Sequence, residues 1–130
     1  MPGQDGVRLD FECSLEQRVD MIENTLAKIE ARLGRTGVLT KEQRAELLAL
    51  LSILKAEIGE FSKTHSEQAQ SITAFTDVST HEATRRERDP QLLRLSLDGL
   101  SASAQGFETS HPKLVEIVNA ISLMLSNSGV

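Results

Sequence analysis

The amino-acid sequence predicts an all-α fold, and three observations support this prediction. Apolar residues recur at alternating intervals of four and three in four separate segments. Because an α-helix turns once in 3.6 residues, this spacing gathers them on one stripe of a helix. Residues that commonly cap helices stand at the segment boundaries. A length of 130 residues suits one domain with one core. We therefore expect antiparallel helical hairpins that form a four-helix bundle over residues 14–128.

The first predicted helix spans about residues 14–33. Ser14, with Gln17 three residues later, matches a capping box, in which each side chain satisfies a backbone amide of the other. Gly34 is predicted to end the helix in the left-handed conformation that glycine adopts most easily. The apolar stripe consists of Leu15, Val19, Ile22, Leu26, Ile29 and Leu33. Residues 1–13 show no helical period and are expected to be a flexible N-terminal extension.

The second predicted helix spans about residues 40–62, and Thr40 with Gln43 repeats the capping-box spacing. Its apolar stripe is broader than the first, which indicates contact with more than one neighbouring helix. The connection to the first helix is short, so the two helices are expected to form an antiparallel hairpin.

A polar stretch rich in Ser and Thr occupies residues 62–89 and leaves two interpretations open. It is either a mobile linker or a continuation of the second helix to about residue 76, since Ile72 and Phe75 keep the register of the stripe and the stretch contains no Gly or Pro. A continued helix would leave Ile72 and Phe75 uncovered in a monomer. Dimerisation with a second copy would then complete the bundle.

The third and fourth predicted helices span about residues 90–107 and 111–126. Asp89 followed by Pro90 is a strong helix start, because the carboxylate accepts from free amides and proline suits the first helical position. Gly99 lies inside the third helix, where it either weakens the helix or marks a close contact with another helix. Ser110 and Pro112 begin the fourth helix.

No group of residues in the sequence matches a catalytic or metal-binding motif, so no catalytic residue, metal or cofactor is expected. His111 lies in the turn between the last two helices, and Glu108 beside it permits an acid–base hypothesis. We favour a structural role for His111, filling the turn and bonding a free carbonyl at the helix end. Phe107, Ser110, His111 and Pro112 are accordingly predicted to form a structural turn motif. His65 and His81 are expected to be solvated.

The charge pattern does not indicate a nucleic-acid surface. The net charge is −5, and the one basic cluster, Arg85, Arg86 and Arg88, alternates with acidic residues in a way typical of a solvated face with local ion pairs. The sequence contains no Trp or Tyr and only four Phe, which leaves few rings for base stacking. A nucleic-acid role for this arginine cluster remains an alternative hypothesis.

Cellular location is predicted from what the sequence lacks. Cys13 is the only cysteine, and no apolar run is long enough to cross a bilayer. The first residues also lack the pattern of a secretory signal. We expect a cytoplasmic protein without membrane contact.

The C-terminal string Phe107 to Leu114, followed by Ile117, Ile121 and the closing residues 125–130, resembles the end of a bacterial family of uncharacterised proteins known as domain of unknown function 4404. Residues 39–44, where a leucine-rich helix begins, are also similar to that family. The resemblance covers most of the chain outside residues 1–13 and 62–89, which make this chain longer. It implies an all-helical fold with no assigned activity, and it transfers no catalytic residue.

Three hypotheses for function follow. The favoured one is a non-enzymatic interaction or scaffolding module that binds a protein partner or a second copy of itself, because apolar stripes are abundant and catalytic motifs are absent. The alternatives are a small metal-dependent or acid–base enzyme centred on Glu108 and His111, and a nucleic-acid accessory protein. The residues predicted to contact a partner or a second copy are Leu15, Val19, Ile22, Leu26, Ile72 and Phe75.

Overall fold

A computed structural model describes residues 20–128, and within these residues it contains helices and no strand, which confirms the all-α prediction. The helices are α1 (20–35), α2 (Lys41–Phe61), α3 (Ser66–Ala83), α4 (Pro90–Ala104) and α5 (Pro112–Asn127). The predicted extension 1–13 and the start of the first helix, with Leu15 and Val19, lie outside the described residues. The described part of the chain therefore has five helices, one more than predicted.

The additional helix is α3, which corrects both interpretations of the polar stretch 62–89. The second helix ends at Phe61, and α3 begins after a turn at residues 62–65, so the stretch is neither a linker nor a continuation of α2. One face of α3 is buried although it is mostly polar. Its buried residues are Ala69, Ile72, Thr73, Thr76, Ser79, Thr80, Glu82 and Ala83.

Hydrogen bonds within α3 explain how threonines can be buried there. The hydroxyls of Thr73, Thr76 and Thr80 donate to the carbonyls of the residues four positions earlier, at 2.7–2.8 Å. Such bonds satisfy the hydroxyl inside its own helix and leave the methyl group free to pack. A face that is polar in sequence can therefore join the core without partners on another helix.

Contacts between residues that are far apart in the sequence fix the arrangement of the helices. The α3 helix packs most extensively on α4, while α5 packs on both α2 and α4. Ion pairs place α1 beside two helices: Lys55 of α2 lies 3.6 Å from Glu30, and Arg32 lies 3.2 Å from Asp77 of α3. The apolar stripes meet in one core. Its fully buried large side chains are Leu26, Ile29, Leu33, Leu47, Leu51, Leu54, Ile58, Phe61, Ile72, Leu100, Leu114 and Ile121.

Two of the predicted helix starts are confirmed in detail. Thr40 and Gln43 form the expected capping box. The Gln43 amide donates to Oγ1 of Thr40 at 3.1 Å, and the Thr40 amide donates to Oε1 of Gln43 at 3.0 Å. The Asp89 carboxylate accepts from the amides of Gln91 and Leu92. These caps satisfy amides that have no partner inside the helix.

Two predicted helix ends are wrong. The first helix continues through Gly34 to residue 35, and Gly34 does not have a positive φ. The helix predicted over 90–107 ends at Ala104, because Gln105 is extended, with φ −65° and ψ 137°, and Gly106 then turns the chain with a φ of 97°. The Glu108 carboxylate accepts from the Gly106 amide at 2.9 Å and so stabilises this turn.

Candidate functional site

Four aromatic rings meet where the α2–α3 turn approaches the α4–α5 turn. Phe61 and His65 stack with centroids 4.7 Å apart and ring planes 6° apart. Phe107 and His111 each lie 4.9 Å from Phe61, nearly perpendicular to it. The two histidine centroids are 5.4 Å apart. Phe61 is fully buried, so the cluster of these four rings anchors the two turns to each other and to the core.

The two turns have the same local structure. The amides of His65 and His111 donate to the carbonyls of Phe61 and Phe107, four residues earlier, at 2.9 and 2.8 Å. Each histidine is the N-cap of the next helix, with φ, ψ of −135°, 59° for His65 and −137°, 63° for His111. Each Nδ1 also lies within 3.0 Å of the hydroxyl of the preceding residue. The two connections are therefore two copies of one turn.

Sequence reasoning missed this duplication, although a pattern for it exists. Both turns have the sequence Phe, any two residues, Ser or Thr, then His, and the copies are separated by 46 positions. The same offset relates leucines of α2 to leucines of α4. These pairs are Leu47 and Leu93, Leu51 and Leu97, and Leu54 and Leu100. A search for an internal repeat of this length would have identified the turn and predicted a helix after residue 65.

Glu108 and His111, the two residues of the acid–base hypothesis, bond to different partners and not to each other. Glu108 bonds the backbone of Gly106, whereas His111 bonds the hydroxyl of Ser110 and packs on Phe61. His111 thus fills its turn as predicted, but through ring packing rather than through a bond to a carbonyl. The expectation that His65 is solvated is wrong, because its ring stacks on Phe61. Among residues 20–128, no three potential ligands of the His, Cys, Asp and Glu types come together to hold a metal.

Most of the predicted partner-contact residues that the structure describes are covered by this chain itself. Ile22, Leu26 and Ile72 are buried in the core, so they do not form a free surface. Ile72 would be uncovered only if α2 continued, and α3 is instead a separate helix that turns this residue inward. Phe75 keeps 37% of its surface exposed and remains a candidate.

Four exposed apolar side chains lie on the paired helices α3 and α4, and we call the surface that they mark the α3/α4 face. It consists of Phe75 and Val78 on α3 and Leu92 and Leu95 on α4, which are 37–58% exposed. On each helix the two residues are three positions apart and so share a stripe. Gly99 joins the stripes, since the Phe75 ring lies directly over it. The sequence pattern did not predict this face, because Val78, Leu92 and Leu95 lie outside the four-three stripes.

One of the local ion pairs that the charge pattern predicted forms in the arginine cluster. Arg85 bonds Glu82 at 2.7 Å, and this hydrogen bond and the negative charge of Glu82 raise the pKa of Arg85 above its ordinary value. Arg88 donates to the carbonyl of Ala83, at the end of α3, at 2.7 Å. Two of the three arginines thus stabilise the end of α3, where helix carbonyls lack partners.

In the part of the chain that the structure describes, no helix combines the length and the apolar character required to cross a membrane. Comparison of the chain with family models, with curated proteins and with solved structures finds no match. The resemblance of the C-terminal string to domain of unknown function 4404 therefore stays a prediction.

Proposed function

We propose that this protein is a non-enzymatic interaction module that associates with a second copy of itself through the α3/α4 face. The observation that carries the proposal is the concentration of exposed apolar side chains there. Four of the eight large apolar side chains that are exposed among the described residues belong to this one face. The other four, Met21, Val38, Ile53 and Leu123, lie on other helices or loops. Clustered exposure of this kind is typical of a binding surface, whereas single exposed residues are ordinary.

The face has the features that a twofold interface requires. In such an interface the same surface must supply both protruding groups and the spaces that receive them. Leu95 is the most exposed of the four apolar side chains, at 58%, while the small residues Ser71 and Ala102, exposed one helical turn beyond Phe75 and Gly99, leave room for a side chain. Association of two such faces would pack two hairpins into four helices and remove the apolar groups from water.

The size of the face also suits a second copy. Helix α4 has 15 residues, so two adjacent helices present a surface about 22 Å long and 20 Å wide. A stable interface covers about 800 Å² on each partner. An area of about 800 Å² is about a tenth of the 8183 Å² that the chain exposes. The α3/α4 face is corrugated, so its accessible area is of the same order.

The other hypotheses have less support. Glu108 and His111 are held by different partners, and the arginines at 85 and 88 bond within their own segment. Neither arrangement favours an acid–base centre or a nucleic-acid surface. A cytoplasmic location is part of the proposal and rests on the single cysteine of the sequence.

The test is the mass of the protein in solution, measured by light scattering and by sedimentation velocity over a range of concentrations. We expect the wild type to be a dimer at micromolar concentration and Leu95→Lys to be monomeric, because a buried charge would oppose association. Leu95 is 58% exposed within one chain, so the lysine does not disturb the fold of the monomer.

The matched control is Leu123→Lys. Leu123 is similarly exposed, at 65%, but lies on α5 between two shallow grooves. We expect this variant to remain a dimer. A monomeric wild type at all concentrations would contradict the proposal, and so would loss of the dimer in Leu123→Lys with its retention in Leu95→Lys.

A further inference from the structure

A small pocket where α1 and α3 end brings three arginines and a histidine together. It has a volume of about 270 Å³ and is lined by Arg32, Arg35, Thr36, His81, Thr84 and Arg85. Arg32 and Arg35 are three residues apart on α1 and so share one side of that helix. His81 lies in the last turn of α3, and Arg85 follows shortly after this helix ends at Ala83.

Two of the arginines are held in place by carboxylates at the edge of the pocket. Arg32 bonds Asp77 at 3.2 Å through Nη1, and Arg85 bonds Glu82 at 2.7 Å through Nη1. A guanidinium group has five N–H donors in a rigid plane. Each of these bonds uses one nitrogen, so the other donors remain available while the carboxylate orients the group. The two arginines are thus fixed before any ligand arrives.

Two of the other side chains that line the pocket have no partner among the described residues. The side chains of Arg35 and His81 are exposed and make no hydrogen bond or ion pair within residues 20–128. Arg35 therefore has no carboxylate partner among these residues, whereas Arg85 is also attracted by Glu87 and Asp89 beside Glu82. The imidazole of His81 adds a further hydrogen-bond donor.

Two further arginines reduce the negative potential that helix ends would create at this place. The Arg44 guanidinium donates to the carbonyl of Thr36, just after α1, at 2.6 Å. The Arg88 guanidinium likewise donates to the carbonyl of Ala83 at the end of α3. Free carbonyls at a helix C-terminus repel anions, and guanidinium groups bonded to them offset that repulsion. These two bonds weaken the negative potential of the helix ends beside the pocket.

We propose that this pocket binds a phosphate group, either as free phosphate or as part of a small phosphorylated molecule. Phosphate oxygens accept the divergent N–H groups of several arginines at once, and charge-assisted bonds of this type are the strongest in proteins. The site is separate from the α3/α4 face. Binding of phosphate and self-association can therefore each fail without affecting the other.

The experiment is a titration of the full chain with inorganic phosphate and with pyrophosphate, followed by amide chemical shifts at constant ionic strength. We expect saturable shifts at residues 35–36 and 84–85, with an affinity on the order of millimolar or tighter. Pyrophosphate should bind more tightly than phosphate if the site favours a larger phosphorylated molecule. Equal affinities would indicate free phosphate as the ligand.

Arg35→Gln is the informative variant, because this side chain is exposed and its loss leaves the fold intact. We expect it to weaken phosphate binding by roughly tenfold, since it removes the one guanidinium of the pocket that has no carboxylate partner in the described part of the chain. Arg94→Gln, another exposed arginine on α4, is the control and should bind normally. Equal shifts with sodium chloride in place of phosphate would overturn the proposal, as would unchanged binding by Arg35→Gln.

Discussion

The ring of Phe75 on α3 lies directly over the backbone of Gly99 on α4. A Cβ atom at position 99 would be 2.9 Å from Cζ of that ring and closer still to two other ring carbons. Glycine in a helix lowers stability by up to about 1 kcal/mol relative to alanine, so its presence here reflects the need for space. The contact lets α3 and α4 approach closely at this point.

This contact predicts that Gly99→Ala has opposite effects on stability in the presence and in the absence of the Phe75 ring. Gly99→Ala should destabilise the wild type by about 1 kcal/mol or more, since the added methyl displaces the ring. In a Phe75→Ala background the same substitution should stabilise the protein by up to about 1 kcal/mol, because only the gain in helix propensity remains. Urea unfolding of the four proteins measures both effects. Equal effects in the two backgrounds would show that the ring does not restrict position 99.

The buried hydroxyls of α3 predict opposite responses at two neighbouring positions. Thr76 is fully buried and its hydroxyl is bonded, whereas the buried Ser79 hydroxyl has no hydrogen-bond partner among the described residues. Ser79→Ala should therefore stabilise the fold by about 0.5–1 kcal/mol, because it removes an unpaired polar group and improves helix propensity.

At position 76 the methyl group is expected to matter more than the hydroxyl. Thr76→Ser should cost about 1 kcal/mol, because it removes a buried methyl, while Thr76→Val should change stability by less than that. Thermal and urea unfolding distinguish these outcomes. A Thr76→Val variant that is less stable than Thr76→Ser would mean that the hydroxyl bond, rather than packing, holds α3 in the core.

The ring cluster predicts coupled effects of its two histidines. His65→Ala and His111→Ala should each lower the free energy of unfolding by about 1–2 kcal/mol, because each removes a ring packed on Phe61. The double variant should lose less than the sum, since the two rings also contact each other. His81→Ala is a control, because His81 lies on the exposed side of α3. Strictly additive losses would contradict direct contact between the two turns.

The capping box of α2 predicts a local effect on stability. Thr40→Ala should cost about 1 kcal/mol, since the Gln43 amide loses the hydroxyl oxygen that accepts from it. Thr109→Ala, in the exposed α4–α5 turn, is the control and should change stability little. Hydrogen exchange of the amides in the first turn of α2 should rise in Thr40→Ala alone. Unchanged exchange there would show that the cap does not hold the helix start.

Much of this fold follows from local patterns in the sequence. The four-three spacing of apolar residues and the caps at Thr40 and Asp89 locate the predicted helices to within a few residues. Of the two interpretations of Gly99, the close contact with another helix is confirmed. These features are predictable because they depend on helix periodicity and on backbone groups a few residues away.

Tertiary structure decided the rest. Nothing local shows that Thr73, Thr76 and Thr80 face the core, since the same residues would suit a solvated linker. Only packing against the neighbouring helices makes their burial favourable. Likewise the polar neighbours of His65 favour a solvated side chain, and only the fold places it beside His111, 46 positions away. Periodicity therefore determined which stripes must be buried, and the neighbours available in space determined which polar residues are buried with them.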